Sequence, residues 1–132
     1  MIPRELSERE CLDALASHDV GRVAMCTPDG PRVFPTNYAL DGPSLVFRTS
    51  HYGMIASVGR GDEIAFEVDE LDRDRRAGWS VLAVGRTEPV EDPHELLSLE
   101  RNPQPWAGGS RGLYIRLRWR QLTGRAVGER VG

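Results

Sequence analysis

The sequence predicts an antiparallel β-barrel, closed or nearly so. Three observations carry this. Six or seven strand-like stretches follow one another at short, regular spacing; most are joined by tight turns of Gly, Pro and Asp; and helical periodicity is confined to two or three short segments. Closure also hides the edges of strands this apolar.

The first element is a helix. Ser7 and Glu10 stand as N-cap and N3 of a capping box, Leu6 and Cys11 form its hydrophobic staple, and Leu12, Leu15 and Ala16 fall on one face. After His18 and Asp19 the period changes to alternation. Gly21 to Thr27 reads as a strand, Pro28-Asp29-Gly30 as a turn, Arg32 to Leu40 as the return strand, and Asp41-Gly42-Pro43 as the turn into a third strand, Ser44 to Thr49. Met54 to Val58, after the Tyr52-Gly53 break, reads as a short helix. Glu63 to Asp69 alternates with Ile64, Phe66 and Val68 on one face. A charged linker, Glu70 to Ala77, leads to a long strand from Trp79 to Glu88. Asp92 and Pro93 then start a helix running to Glu100. A Pro- and Gly-rich loop from Arg101 to Ser110 carries Trp106, and two strands, Leu113 to Arg118 and Gln121 to Val127, finish the chain. There is no internal repeat.

A length of 132 residues fits one domain, 1–132, and is too short for two. Apolar residues at 39% and charged residues at 28% are globular usage, and no apolar run approaches the ~20 residues of a membrane span. Met1 to Leu6 has no apolar export core, so a cytoplasmic protein is expected. Cys11 and Cys26 lie far apart and His18, His51 and His94 show no ligand spacing, which reads as two reduced, partly buried thiols and no metal site. All 17 basic residues are arginine. Without lysine, any covalent mechanism through a lysine Schiff base, including ordinary pyridoxal-phosphate catalysis, is excluded. A net charge of -3 argues against a nucleic-acid partner. The last third is locally basic, with Arg101, Arg111, Arg116, Arg118, Arg120, Arg125 and Arg130, and reads either as a solvated sheet face or as arginines facing an anionic cofactor.

Three stretches hold candidate chemistry. In Arg48-Thr49-Ser50 a strand ends in a cation and two hydroxyls before a short helix, the donor types that a phosphate needs. In Pro35-Thr36-Asn37-Tyr38 a proline inside a strand withholds a ladder hydrogen bond, which marks an edge or bulge where backbone groups can meet a planar heterocycle, or a bulge that only curves the barrel. Trp106 and Arg111 put an indole and a guanidinium on or beside the late loop, able to stack on such a ring or to anchor the loop. No nucleophile elbow or recognisable carboxylate pair points to hydrolysis.

The ordered set Asp19 to Ala24, Pro28-Asp29-Gly30, Pro35 to Leu40, Val46 to Thr49, Val68-Asp69-Glu70, Gly78 to Val81, Gly85-Arg86 and Gly124-Arg125 resembles the pyridoxamine 5'-phosphate oxidase-related FMN-binding split-barrel family, in its small actinobacterial-type members. The resemblance implies a six-stranded antiparallel split β-barrel with two or three short helices, and a homodimer burying one barrel face, with FMN sites built from both subunits. It implies that Pro35 to Tyr38 offer backbone to the flavin ring, that Arg48, Thr49 and Ser50 hold the ribityl phosphate, and that Trp106 and Arg111 approach the flavin of the other subunit. Met54 stands where the family often has a basic residue, so Arg48, Arg60 or a partner arginine must supply that charge, or FMN binds more weakly, or the ligand differs. The segment 124–132 lacks the family enzyme's Arg-Leu-x-Pro ending, so activity on pyridoxamine 5'-phosphate itself is not expected.

Two functions follow from the resemblance. The first is an FMN-dependent oxidoreductase acting on a small molecule, with few catalytic side chains. The second is a deazaflavin-coenzyme reductase, or a non-catalytic flavin- or haem-binding or sensing module, with His51 and Met54 as the soft ligands near the phosphate segment.

Overall fold

Alternating inward and outward residues, punctuated by turns, give a chain that must curl to bury one face of nearly every strand. The computed structural model describes residues 2–49, 60–99 and 113–128. In chain order these form β1 (Arg4–Glu5), α1 (Glu8–Ala16), β2 (Val20–Thr27), β3 (Gly30–Asp41), β4 (Ser44–Thr49), β5 (Glu63–Asp72), β6 (Ala77–Pro89), α2 (Pro93–Leu99) and β7 (Leu113–Val127). The sheet order is β1-β7-β4-β3-β2-β5-β6, and a further β6–β7 ladder closes it. All pairings are antiparallel, so β2, β3, β4, β7, β6 and β5 make a six-stranded barrel, with β1 added beside the end of β7.

The inward rows supply the core. Val23, Phe66, Val68, Val81, Leu45, Phe47, Ile115 and Leu117 are all fully buried, and the Phe66 ring packs against those of Tyr38 and Phe47, with centroids 5.2 and 5.7 Å away. α1 joins this core through Cys11 and Leu15. Its start is the expected capping box: Glu10 N–H donates to Ser7 Oγ at 3.1 Å and Ser7 N–H to Glu10 Oε1 at 3.0 Å. That backbone donor, helped by the Arg4 guanidinium, holds the Glu10 carboxyl down at about 2. Cys11 and Leu15 are buried and Ala14 is partly buried against them, whereas Ala16 is exposed, a one-residue rotation from the predicted face. Cys26, expected to be partly buried, is exposed because it falls on the outward register of β2.

Beyond shifts of a residue or two at strand ends, three boundaries differ from the expectation. β5 continues to Asp72 and β6 begins at Ala77, so the charged linker is the tip of a long hairpin: Asp72 Oδ1 accepts the N–H groups of Asp74 and Arg75, each at 3.1 Å, and Arg76 takes a left-handed φ of 50°. The two final strands are one. Trp119 opposes Gly85 and Gln121 opposes Val84, so Arg120 is an extra residue in β7 that bends the strand without ending it. The third difference is β1, whose two residues carry no apolar alternation by which to recognise them. The predicted helix at Met54 to Val58 and the loop Arg101 to Ser110 lie outside the described residues. Among the described residues no helix is long and apolar enough to cross a membrane.

The bulge requires glycine opposite it: a Cβ at Gly85 would overlap the Arg118 carbonyl oxygen and come within 2.7 Å of Trp119 Cα. The Gly85→Ala variant is expected to lose about 2–4 kcal/mol of stability, because the strand must separate from β7 to admit the methyl group. Urea unfolding followed by circular dichroism checks this, and an unchanged midpoint would mean that the ladder tolerates the insertion.

Candidate functional site

The barrel splits where β3 and β4 part. Their ladder runs from Asp41↔Ser44 to Tyr38↔Phe47 and goes no further among the described residues, while on its other edge β3 stays paired with β2 from Gly30 to Asn37. Pro35, which has no N–H to give, lies in the stretch beyond the β4 ladder, opposite Arg22 of β2. The Thr36 hydroxyl spans the mouth of the split, 3.4 Å from the Arg48 carbonyl and 3.3 Å from that of Asn37. The Asn37 amide donates to the Asp19 carbonyl at 3.3 Å.

Tyr38 has a different role from its neighbours. Its side chain is 2% exposed and its hydroxyl donates to the Leu15 carbonyl at 2.5 Å, while its N–H donates to Asp19 O at 3.0 Å. Burial, with Asp19 adding to it, pushes the phenol well above its ordinary range. Both its phenol and its amide are thus committed to joining β3 to α1 and to the turn before β2, which leaves neither to meet a ring in the split.

Arg48 and Thr49 do not converge through their side chains. Successive strand residues face opposite ways. Arg48 is paired with Tyr114 on the outer face of β4, its guanidinium carbon 5.2 Å from the Tyr114 ring centroid. Thr49 is paired with Leu113 and is buried. The outer face is lined by Val46, Val90 and Tyr114, with Leu96 of α2 packed against them, so the guanidinium sits at the rim of a small apolar cluster. Beside it Arg116, 6% exposed, donates to Asp41 at 2.8 Å, to Ser44 Oγ at 2.7 Å and to Glu95 at 3.4 Å, tying α2 and the β3–β4 turn to the barrel. Of the other predicted residues, Ser50, Met54, Trp106 and Arg111, together with His51, lie outside the described residues.

The donor suited to a phosphate is the Arg48 guanidinium at the strand end; the Thr36 hydroxyl proton is already given to backbone carbonyls. The Pro35–Thr36 stretch beside it fits the edge of a flat ring. Among the described residues of the last third, Arg118 is committed to Glu88 at 2.8 Å, Arg120 to both oxygens of Glu63 at 2.6 and 2.8 Å, and Arg116 as above. These pairs favour the reading of a solvated, ion-paired sheet face.

Two further features were not visible without the register. One is a groove of about 1290 Å³ between α1, the β5–β6 hairpin and the end of β7. Its wall includes His18 edge-on to Trp79, with centroids 5.0 Å apart, and the His18 ring 2.8 Å from Ser17 Oγ. The other is a cluster on the outer face of β2 and β5, where one arginine nitrogen of Arg22 donates to both Glu67, at 3.2 Å, and Asp69, at 3.3 Å. Burial, then the hydrogen bond and charge of Asp69, pushes the Glu67 carboxyl up to about 7 against the pull of Arg22. The i, i+2 spacing of Glu67 and Asp69 was the available signal; the cross-strand partner was not.

A six-stranded barrel opened between β3 and β4 defines the class: a split β-barrel. The family described as pyridoxamine 5'-phosphate oxidase matches residues 7–126, and the chain belongs to that family. Among solved structures it is similar to an FAD-binding protein from Mesorhizobium loti, at 26% identity with a TM-score of 0.80, covering 97% of this chain and 100% of that one. It is also similar to the FAD binding protein from Mycobacterium smegmatis, at 28% identity with a TM-score of 0.79, covering 96% and 99%. A further relative is the uncharacterized protein Rv0080 of Mycobacterium tuberculosis, 30% identical over 125 residues, 91% of this chain and 82% of that protein.

The Tyr38→Phe variant separates an anchoring role from a ligand role. It should lower unfolding stability by about 1–2 kcal/mol, the worth of a buried hydrogen bond whose carbonyl partner is left unmet. Thermal and urea unfolding measure this, and an unaltered stability would show that the phenol is not what ties β3 to α1.

Proposed function

We propose that this chain is a flavin-binding protein, an FMN-dependent oxidoreductase acting on a small molecule, and that it works as a homodimer with its cofactor sites between subunits. The observation that carries the reading is the split itself: the β3 stretch containing Pro35 and Thr36 lies alongside the strand end where Arg48 stacks on Tyr114. Family membership and two FAD-binding structural relatives support a flavin. The exposed Cys26 thiol suits a reducing compartment such as the cytoplasm.

In this reading Arg48 binds the phosphate, and the Tyr114 ring fixes the guanidinium plane so that little side-chain freedom is lost on binding. The Pro35–Thr36 backbone orients the ring, and Tyr38 holds that stretch of β3 in place through α1. When bound, the flavin supplies the hydride or electron transfer, which is why the chain needs no nucleophile of its own. The second subunit completes the site and excludes water.

The test is a visible absorption spectrum of the purified protein, before and after adding FMN, with any ligand released by denaturation and identified by mass. The two-band flavin spectrum with FMN recovered is the expected result. Recovery of FAD would change the cofactor within the same site, and a colourless protein that takes up neither would overturn the reading. Arg48→Ala should weaken FMN binding by roughly tenfold to a hundredfold, the equivalent of about 1.5–3 kcal/mol for a charge-assisted hydrogen bond. Unchanged affinity in a fluorescence titration would remove Arg48 from the site.

A further inference from the structure

Among the described residues, α2 contributes nothing to the barrel's main core, yet it packs against the cluster that carries Arg48. Its start is set locally: Asp92 Oδ1 accepts the His94 N–H at 2.8 Å, and the Asp92 carbonyl accepts the Leu96 N–H at 2.9 Å. Two consecutive residues of α2 then meet the outer face of β4 and β7. Leu96 packs against Val46, Val90 and Tyr114, and Glu95 accepts from the Arg116 guanidinium at 3.4 Å. Arg116 in turn donates to Asp41 at 2.8 Å and to Ser44 Oγ at 2.7 Å, which roots it at the β3–β4 turn.

Tyr114 joins this arrangement to the phosphate segment. It stands two residues before Arg116 on β7, so both side chains lie on the outer face. Its side chain is nearly buried, its carbonyl accepts the Val90 N–H at 2.8 Å, and its ring lies 5.2 Å from the Arg48 guanidinium carbon. The contacts form one continuous path. Arg48 rests on Tyr114, Tyr114 belongs to the cluster that Leu96 covers, and the neighbour of Leu96, Glu95, is fastened to Arg116.

We propose that α2 is the positioning element for the phosphate end of the site: Leu96 and Glu95 hold the Tyr114 ring, the ring sets the direction of the Arg48 N–H groups, and the preference for FMN over riboflavin therefore depends on α2 being seated. The inference rests on the flavin reading above and deepens it by adding residues that act through Tyr114. An arginine that grips an anion gives up much side-chain freedom, and a fixed aromatic platform removes that freedom before the ligand arrives. The ring end of the site lies on β3, at Pro35 and Thr36, and is built without α2. Loosening α2 should therefore weaken FMN binding and spare riboflavin, which has the same ring and no phosphate.

The experiment is a fluorescence titration of the full chain, stripped of any bound flavin, with FMN and with riboflavin, and the quantity read is the ratio of the two dissociation constants. Glu95→Ala combined with Leu96→Ala is expected to lower the preference for FMN by roughly threefold to tenfold, the range for ordering one long side chain, with riboflavin affinity held. Leu96→Met keeps the apolar contact and should restore the preference that Leu96→Ala loses. Glu95 is exposed, so Glu95→Ala alone should fold in any case and carry part of the loss. In a Tyr114→Leu background the paired α2 substitution should have no further effect, because the path is already cut. An unchanged ratio in the α2 variants, while Arg48→Ala abolishes the preference, would overturn this inference and leave the flavin site standing. Equal losses of FMN and riboflavin would overturn it too, since α2 would then serve the barrel as a whole. A full α2 effect persisting without the Tyr114 ring would overturn the route. A chain that binds neither flavin, or an Arg48→Ala protein with the wild-type ratio, would remove the proposed site and this inference with it.

Discussion

Without the ladder from Gly78↔Val127 to Pro89↔Ile115, β6 and β7 would be the two main edges of an open, strongly twisted sheet, each exposing a row of unmatched backbone groups. Closing that ladder turns one sheet into a barrel and makes an inside from what would otherwise be one face. The cost is curvature, and it is absorbed at a single place: Arg120 is squeezed out of register and Gly85 lets the backbones meet. Arg120 is not wasted by this. Its guanidinium reaches across to Glu63 of β5, so the residue that bends β7 also fastens it to a strand two places away in the barrel.

The same closure explains why β4 is so apolar. It lies between β3 and β7 with the core on one side and the cluster of Val46, Val90 and Tyr114 on the other, so both of its faces are buried. A strand of this kind reads as a continuous apolar run, and its polar residues are confined to its ends. Ser44 at one end anchors Arg116, and Arg48 and Thr49 stand at the other, where the ladder to β3 has stopped. The place where the barrel opens is therefore also the place where an otherwise apolar strand carries a charge.

Arginine carries all the positive charge of this chain, and its planar fork is used in several ways. Arg116 joins three elements from a nearly buried position, Arg22 bridges two carboxylates, and Arg48 sits over an aromatic ring. A lysine ammonium would match the charge but neither the bridging geometry nor the stacking. The outer surface of the barrel is thus a set of specific pairings, and its few uncommitted stretches are what leave room for a ligand or another subunit.

Local chemistry was legible in the sequence. Ser7 and Glu10 announced the helix start, alternation marked β2 and β5, the turn residues fixed the first two hairpins, and Asp92 with Pro93 began α2, because each of these depends on contacts within a few residues. The ordered motifs from Asp19 to Gly124 were enough to indicate the split barrel and its family. What the sequence could not supply was register. Whether Arg48 and Thr49 meet, whether Tyr38 faces a ligand or the core, and which strand lies beside Glu67 all turn on pairings between residues tens of positions apart. A shift of one residue would reverse every answer. The continuation of β7 past Arg120 was hidden for the same reason: a bulge is visible only against the strand it bulges from. Composition and pattern determined that this chain would form a closed or nearly closed antiparallel barrel, and tertiary pairing alone decided which of its polar residues face one another.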